Sequence, residues 1–214
     1  LLEHLRTENL LNKPVIILGG GGHASVLVDI LRLNSVEIIG VSDPAYLKGE
    51  LVFGDIPVIN DEVILEKYSY NKVSLINGIG PSPKSRRREI INEKFIDVGY
   101  EFSSVIHPSA LIAKSALLES GAQIMAGVII QSRSTVSQNS VINTGAVIDH
   151  DCFIGKYSHI APGAVICGNV NAGSSVFIGA GATVIENLSL EEGALVAAGT
   201  TLRKNLLKEE IYYG

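Results

Sequence analysis

Two adjacent side chains, His150 and Asp151, are the pair in this chain best suited to moving a proton. Imidazole ordinarily titrates near 6.5, so it can take up and return a proton at neutral pH. A carboxylate beside it favours the imidazolium and raises the basicity of the ring. Both belong to the densest polar stretch of the second half, residues 143–152, which opens on Asn143. Gly168 follows His150 by eighteen residues, and His159 follows it by nine. A glycine leaves a bare backbone N–H, as a donor to an oxygen that becomes negative must. Two other readings of these histidines stay open: imidazole is the commonest zinc ligand, and surface histidines need no function.

A second place for chemistry lies near the start. The apolar run Val15–Leu18 is followed by Gly19-Gly20-Gly21-Gly22-His23-Ala24. Gly19-x-Gly21-x-x-Ala24, after a strand and at a helix start, fits the dinucleotide fingerprint, in which backbone N–H groups and the helix dipole face a phosphate. Asp43, at the end of the next strand, sits where a ribose-binding acid belongs. Only about three strands fit before the pattern changes, so the second mononucleotide half is missing. A single half suits a mononucleotide or nucleotide sugar better than a dinucleotide; a loop that serves only helix–strand packing is the third reading. The His23 ring can reach a ligand held by the loop, or it can cap or pack. Gly80 follows the third strand and falls on the same carboxyl edge, where open α/β sheets bind ligands.

These residues are positioned by two kinds of pattern. From Ile106 to Leu202 an aliphatic residue or alanine returns at every sixth position, and four residues after each comes a mostly small side chain such as Ala122, Ser134, Ala146 or Cys152. Neither a helical period nor simple alternation produces a strict period of six. A β-solenoid of hexads does, with the aliphatic side chain inside each short face and the small one at each corner. Three hexads make one coil, so residues eighteen apart stack at the strand spacing of about 4.8 Å. Gly168 then lies directly over His150. His159 lies half a coil round and faces another side, where a neighbouring copy of the chain could bring the two histidines together.

Before residue 103 strands alternate with helices: strands over Val15–Leu18, 37–41 and 73–76, and helices over 24–33, 60–67 and 82–98. This predicts a small parallel βαβαβ sheet of Rossmann-like half type. The run Arg86-Arg87-Arg88 reads chiefly as a solvated helix face, with a phosphate patch as the rival. Residues 206–211 read as a helical cap. The expected division is an α/β domain over 13–103, a solenoid over 104–206 and a C-terminal cap over 207–214.

Composition narrows the partners. The 214 residues are 46% hydrophobic and 18% charged, with mean hydropathy +0.31, which suits extensive burial. The net charge of −5 argues against a nucleic-acid surface. The longest early apolar run, Val15–Leu18, is far too short to span a bilayer, and the first fourteen residues do not read as a secretory signal. By the repeat register Cys152 points inward and Cys167 outward, so they should not pair, and a reduced, cytoplasmic setting is expected.

The combined motifs resemble a known family. Gly-Gly-Gly-Gly-His-Ala, Ser42-Asp43-Pro44, His107-Pro108, Asn143-Thr144, Val147-Ile148-Asp149-His150-Asp151-Cys152 and Ser158-His159-Ile160 are similar to those of the bacterial hexapeptide-repeat sugar acyltransferases. That family includes sialic acid O-acetyltransferases and the N-acetyltransferases of nucleotide-linked 4-amino-4,6-dideoxy sugars. The resemblance implies a left-handed β-helix and a homotrimer, with acetyl-CoA between neighbouring solenoids and no metal. It implies acetyl transfer to the 4-amino group of a nucleotide-linked sugar for surface polysaccharide, with sugar O-acetylation or a zinc-dependent hexapeptide-repeat enzyme as alternatives. It also implies roles: His150 as general base, Asp151 as its acid, Gly168 as oxyanion donor and Asn143 as an orienting group. His159, Ala180 and Ala198 would contact the coenzyme, and Gly21, Gly22, His23, Asp43 and Gly80 the nucleotide sugar. Asp151 departs from the pattern, standing where relatives often carry Glu.

Overall fold

In the computed structural model, which describes residues 13–214, the four aliphatic residues Val15–Leu18 form β1 and are buried throughout. That is the signature of a parallel strand covered on both sides. After β1 come α1 (Gly22–Leu33), β2 (Ile38–Ser42), β3 (Leu51–Val52), β4 (Ile56–Pro57), α2 (Asp61–Lys67), β5 (Ser74–Asn77) and α3 (Arg87–Ile96). The sheet has the order β2-β1-β5, with β1 parallel to both neighbours. β3 and β4 form a short antiparallel hairpin that the alternation of strands and helices did not announce. One side of the sheet carries a core of Ile16, Leu18, Ile64, Leu75, Phe95 and Tyr100. Asn60 caps α2 through its side chain, which accepts the Val63 N–H at 3.1 Å.

Two details differ from expectation here. α3 begins at Arg87, not at residue 82, because Pro81 and Pro83 precede it and Lys84 has a left-handed φ of 59°. The arginine run is also not one solvated face. Arg86 is exposed and pairs with Glu89 at 2.6 Å, but Arg88 is buried. Its guanidinium donates to the carbonyl oxygens of Ile79 and Asn77, beneath the segment that follows β5.

The described contacts divide into two compact units between Val105 and Ile106. The second unit is the parallel solenoid with the left-handed coil of hexad repeats. Its two-residue strands stack into three parallel sheets of seven, six and five strands. Every pairing within Val105–Leu202 joins residues eighteen apart, as in Val141–His159 and Ile148–Ile166. We call the face that holds Val141–Ile142 and His159–Ile160 the first, that of Val147–Ile148 the second, and that of Phe153–Ile154 the third. The interior positions from Ile124 onward are buried, while Ile106, Ile112 and Leu118 of the opening coil are half-buried. The fourth residue after most interior positions is also buried, and the residue before it commonly takes a left-handed φ near 60–70°, as at Gly127, Asp151 and Asn169.

Residues 206–211, expected to close the column as a helix, extend the coil instead. Leu206 bridges to Leu190, and Ile211–Tyr212 pair with Leu195–Val196. The last full rung presents unpaired backbone groups, and a further strand satisfies them where a helix would not. Among the described residues no helix is long and apolar enough to cross a membrane.

Depth in the column should set what each interior side chain contributes. Ile160→Ala, at a fully buried central rung, is expected to lower unfolding free energy by about 2–5 kcal/mol. Ile112→Ala, in the half-buried opening coil, should cost clearly less. Urea denaturation of the two variants checks the order.

Candidate active site

The second face turns into the third through Asp149, His150 and Asp151. Asp151 has φ 60°, so the chain doubles back there and Cys152 points inward. The turn is held rung to rung: Asp151 N–H donates to Ser132 O at 3.1 Å, and Asn169 N–H to His150 O at 2.9 Å. Inside it, Asp149 Oδ1 accepts the His150 N–H at 2.8 Å. The imidazole is left exposed on a fixed backbone.

Nδ1 of His150 lies 2.7 Å from Oδ2 of Asp151. With the carboxylate as acceptor, Nδ1 carries the proton and Nε2 the free lone pair. The short Asp side chain thus reaches the ring from the adjacent residue. Asp151 is itself gripped by Arg133, one rung below, whose Nε and Nη2 donate to Oδ1 at 2.6 Å and Oδ2 at 2.7 Å. Arg133 first, then His150, holds the Asp151 carboxyl well below the usual range, at about 2. Sequence reasoning missed Arg133, although counting eighteen residues back from Asp151 reaches it. Gly168 lies over His150, as the coil arithmetic requires: a methyl group built at residue 168 would stand 2.7 Å from Cε1 and 2.9 Å from Nε2 of the ring. Among the described residues, nothing accepts a hydrogen bond from the Gly168 N–H.

Asn143 does not join this cluster. It lies one corner earlier, where the first face turns into the second. Its Nδ2 is 3.3 Å from Nε2 of His159, and its Oδ1 accepts the Thr144 N–H at 2.8 Å. Seven residues separate Asn143 from His150 along the chain, but in a coil that is more than one face. His159 is buried on the first face and meets the Phe177 ring edge-on at 4.9 Å. Ala180 and Ala198 are exposed and stacked on the corner that carries Pro162 and Thr144 on the rungs below, with Gly199 N–H donating to Ala180 O at 2.9 Å. The coil therefore separates His150, Asp151 and Gly168 from Asn143, His159, Ala180 and Ala198.

Burial raises both thiols, Cys152 and Cys167, so neither offers a ready thiolate. Both cysteines are free. Among the described residues, no group of three or more His, Cys, Asp and Glu side chains comes together as a metal site.

In the α/β unit, Gly19 has φ 103° and its backbone passes so close to Gly78 that a methyl on residue 78 would stand 2.6 Å from Gly19 O. The glycine loop and the Gly78–Gly80 segment are thus neighbours at the carboxyl edge of the sheet, and a Cβ on Gly80 would lie 3.4 Å from that of His23. Gly21 and Gly22 face open space, and α1 begins there with neither a side-chain cap nor an acid in its first turn. That leaves N–H donors and the positive end of the helix dipole for an anion. Asp43, expected as a ribose-binding acid, is engaged within the loop itself. Its Oδ2 accepts the Gly20 N–H at 2.6 Å and its Oδ1 the Ala45 N–H at 2.8 Å, while the Tyr46 hydroxyl donates to Gly20 O at 3.2 Å.

Comparison with known proteins agrees with both units. Residues 14–94 match the family model described as the PglD N-terminal domain. The chain is 33% identical to PerB from Caulobacter crescentus, solved in complex with CoA and GDP-perosamine; the match covers 94% of this chain and 93% of that one, with a TM-score of 0.84. The acetyltransferase domain of PglB from Neisseria gonorrhoeae, in complex with acetyl coenzyme A, is 27% identical over 94% of this chain and 95% of that one, also with a TM-score of 0.84. The chain belongs to the nucleotide-sugar N-acetyltransferase family.

The close stacking at Gly168 has a direct test. The exposed imidazole can swing aside, so Gly168→Ala should keep its thermal midpoint near wild type while the ring is displaced. The expected outcome is a changed His150 ring signal in NMR and turnover lowered by about a hundredfold, the cost of a misplaced reacting group.

Proposed function

We propose that this chain moves the acetyl group of acetyl-CoA to the amine of a nucleotide-linked amino sugar. The carrying observation is the corner where His150, oriented by Asp151, lies against Gly168, whose N–H has no acceptor among the described residues. His150 Nε2 takes the amine proton as the nitrogen attacks, and returns a proton to the departing sulfur. Gly168 N–H donates to the carbonyl oxygen as negative charge gathers on it. Acetyl-CoA supplies the activated thioester carbonyl. Ala180 and Ala198, small and exposed, leave room for its thin pantetheine arm, with His159 and Asn143 beside that path.

The α/β unit holds the nucleotide part: Gly21, Gly22 and His23 at the start of α1 face the phosphates, with Gly80 alongside. Asp43 acts mainly by fixing the loop through the Gly20 N–H. The sugar is a 4-amino-4,6-dideoxy sugar destined for surface polysaccharide. The enzyme works as a cytoplasmic homotrimer in which neighbouring solenoids share each coenzyme. The motif resemblance supports these finer points, as does the separation of His159 from His150 within one chain. An amine acceptor, which arrives as a cation at neutral pH and loses its extra proton to solvent before it attacks, is favoured over a hydroxyl because Asp149 and Glu186 share the His150 corner with Asp151.

The test is release of free CoA thiol across a panel of nucleotide-linked amino sugars and their hydroxyl counterparts. Wild type should turn over amines, and His150→Asn should lower kcat by about 10²–10⁴-fold with assembly unchanged. Near-wild-type turnover in that variant would sink the role of His150; acetylation of hydroxyl acceptors alone would replace the amine reading.

The acidic limb of the kcat/KM profile carries a second expectation. Asp151 titrates at about 2, so it stays ionised throughout the working range. The limb should therefore carry no contribution from Asp151, which a kcat/KM profile of slope one rather than two would show.

A further inference from the structure

Arg133 holds a corner position that suits it poorly. Its φ is 62°, in the left-handed region that few residues other than Gly, Asn and Asp enter. Most corresponding left-handed corners between residues 106 and 202 are Gly, Asn or Asp, among them Gly127, Gly145, Asp151, Asn169 and Asn187, with Tyr157 and Ser175 as the other exceptions. The backbone there asks for no arginine, because its N–H is satisfied by Ser115 Oγ at 3.2 Å from the rung below. The guanidinium is committed to Asp151 through two parallel bonds. This ion pair is solvent-exposed, and such pairs add little to stability. An unfavourable backbone state kept for a contact of little stabilising worth points to function.

The contact lies next to the reacting ring. Asp151 Oδ2 accepts from both Arg133 Nη2 and His150 Nδ1, and Oδ1 accepts from Arg133 Nε. The fork fixes the plane of the carboxylate, and the carboxylate fixes the ring. We propose that Arg133 is a positioning residue for the base: it holds Asp151 so that His150 keeps its proton on Nδ1 and presents the lone pair of Nε2 beneath Gly168. The proposal rests on the reading of His150 as the base. Arg133 also offsets part of the negative charge at this corner, where Asp149 accepts the His150 N–H, Glu186 stands two rungs above, and burial and both acids raise the Cys167 thiol.

Three variants separate position from charge and from folding. Arg133→Asn, whose side chain tolerates the left-handed corner, should keep or raise the thermal midpoint. Its kcat should fall by about ten- to a hundredfold with both KM values within about twofold, the mark of a displaced reacting group. In Arg133→Gln the acidic limb of kcat/KM should move up by about half a pH unit, the scale of one exposed positive charge removed at close range. Arg133→Lys, which keeps charge but loses the planar fork, should leave the limb in place yet recover only part of kcat. Ring ¹⁵N spectra of His150 should show one Nδ1–H tautomer in wild type and a mixture in the Asn variant.

Wild-type kcat together with an unchanged tautomer in Arg133→Asn would overturn the proposal. So would a clear fall in its thermal midpoint, which would make Arg133 a fold-holding residue. The tautomer measurement needs no substrate. If His150→Asn proved fully active, the reading of the base would fail at that point, while the Arg133 contact would still be judged by the spectra alone.

Discussion

Backbone hydrogen bonds between successive rungs hold each residue of the solenoid over the one eighteen positions before it. Everything at the candidate site follows from that register. Asp151 N–H is held by Ser132 O and Asn169 N–H by His150 O, so the corner carrying the base is bonded to the rung below and the rung above. A slip of one residue would turn Ile148 outward and bring Val147 or Asp149 to the interior position, and would move His150 off the place beneath Gly168. The rigidity that orients an exposed imidazole therefore comes from the repeat itself, without a shell of packed side chains.

The same register sets the charges. Asp151 stands between a guanidinium one rung below and an imidazole beside it, and both favour its ionised form. A carboxylate already bonded to Arg133 has less capacity to strengthen a neighbouring base than a lone one, because part of its field is neutralised. What it gives the ring is chiefly direction: Nδ1 toward Oδ2, Nε2 toward Gly168. This fits a base that must both take and return a proton, for which extreme basicity would be a hindrance.

The fold was legible wherever local chemistry repeats. Aliphatic residues every sixth position, and small ones at the corners, have no other stable solution, and the buried tetrad Val15–Leu18 with its glycines marks a strand, a turn and a helix start. Legibility failed where the deciding contact is distant in sequence. Arg88 is buried because carbonyls of Asn77 and Ile79 receive it, and no helical pattern over 82–98 reports that. Residues 206–211 took the backbone groups of the last rung, for which a local helix signal is no guide. Asn143 lies near His150 in sequence but on another corner, while Arg133 lies farther away in sequence and touches Asp151. In a coil, distance along the chain misleads unless counted in eighteens.

Two residues at this corner are poor choices by local criteria. Arg133 sits in left-handed backbone, and Gly168 gives up a side chain in a buried rung. A solenoid that needed only to stand would favour Gly, Asn or Asp at the first position and would gain packing at the second. Each departure has its counterpart within the cluster: Arg133 grips Asp151, Asp151 orients His150, and the missing Cβ of Gly168 admits the ring. Local rules broken together, around one exposed imidazole, are what selection for chemistry leaves in a scaffold otherwise consistent at every level. The repeat makes the column; the places where the repeat is compromised show where it acts.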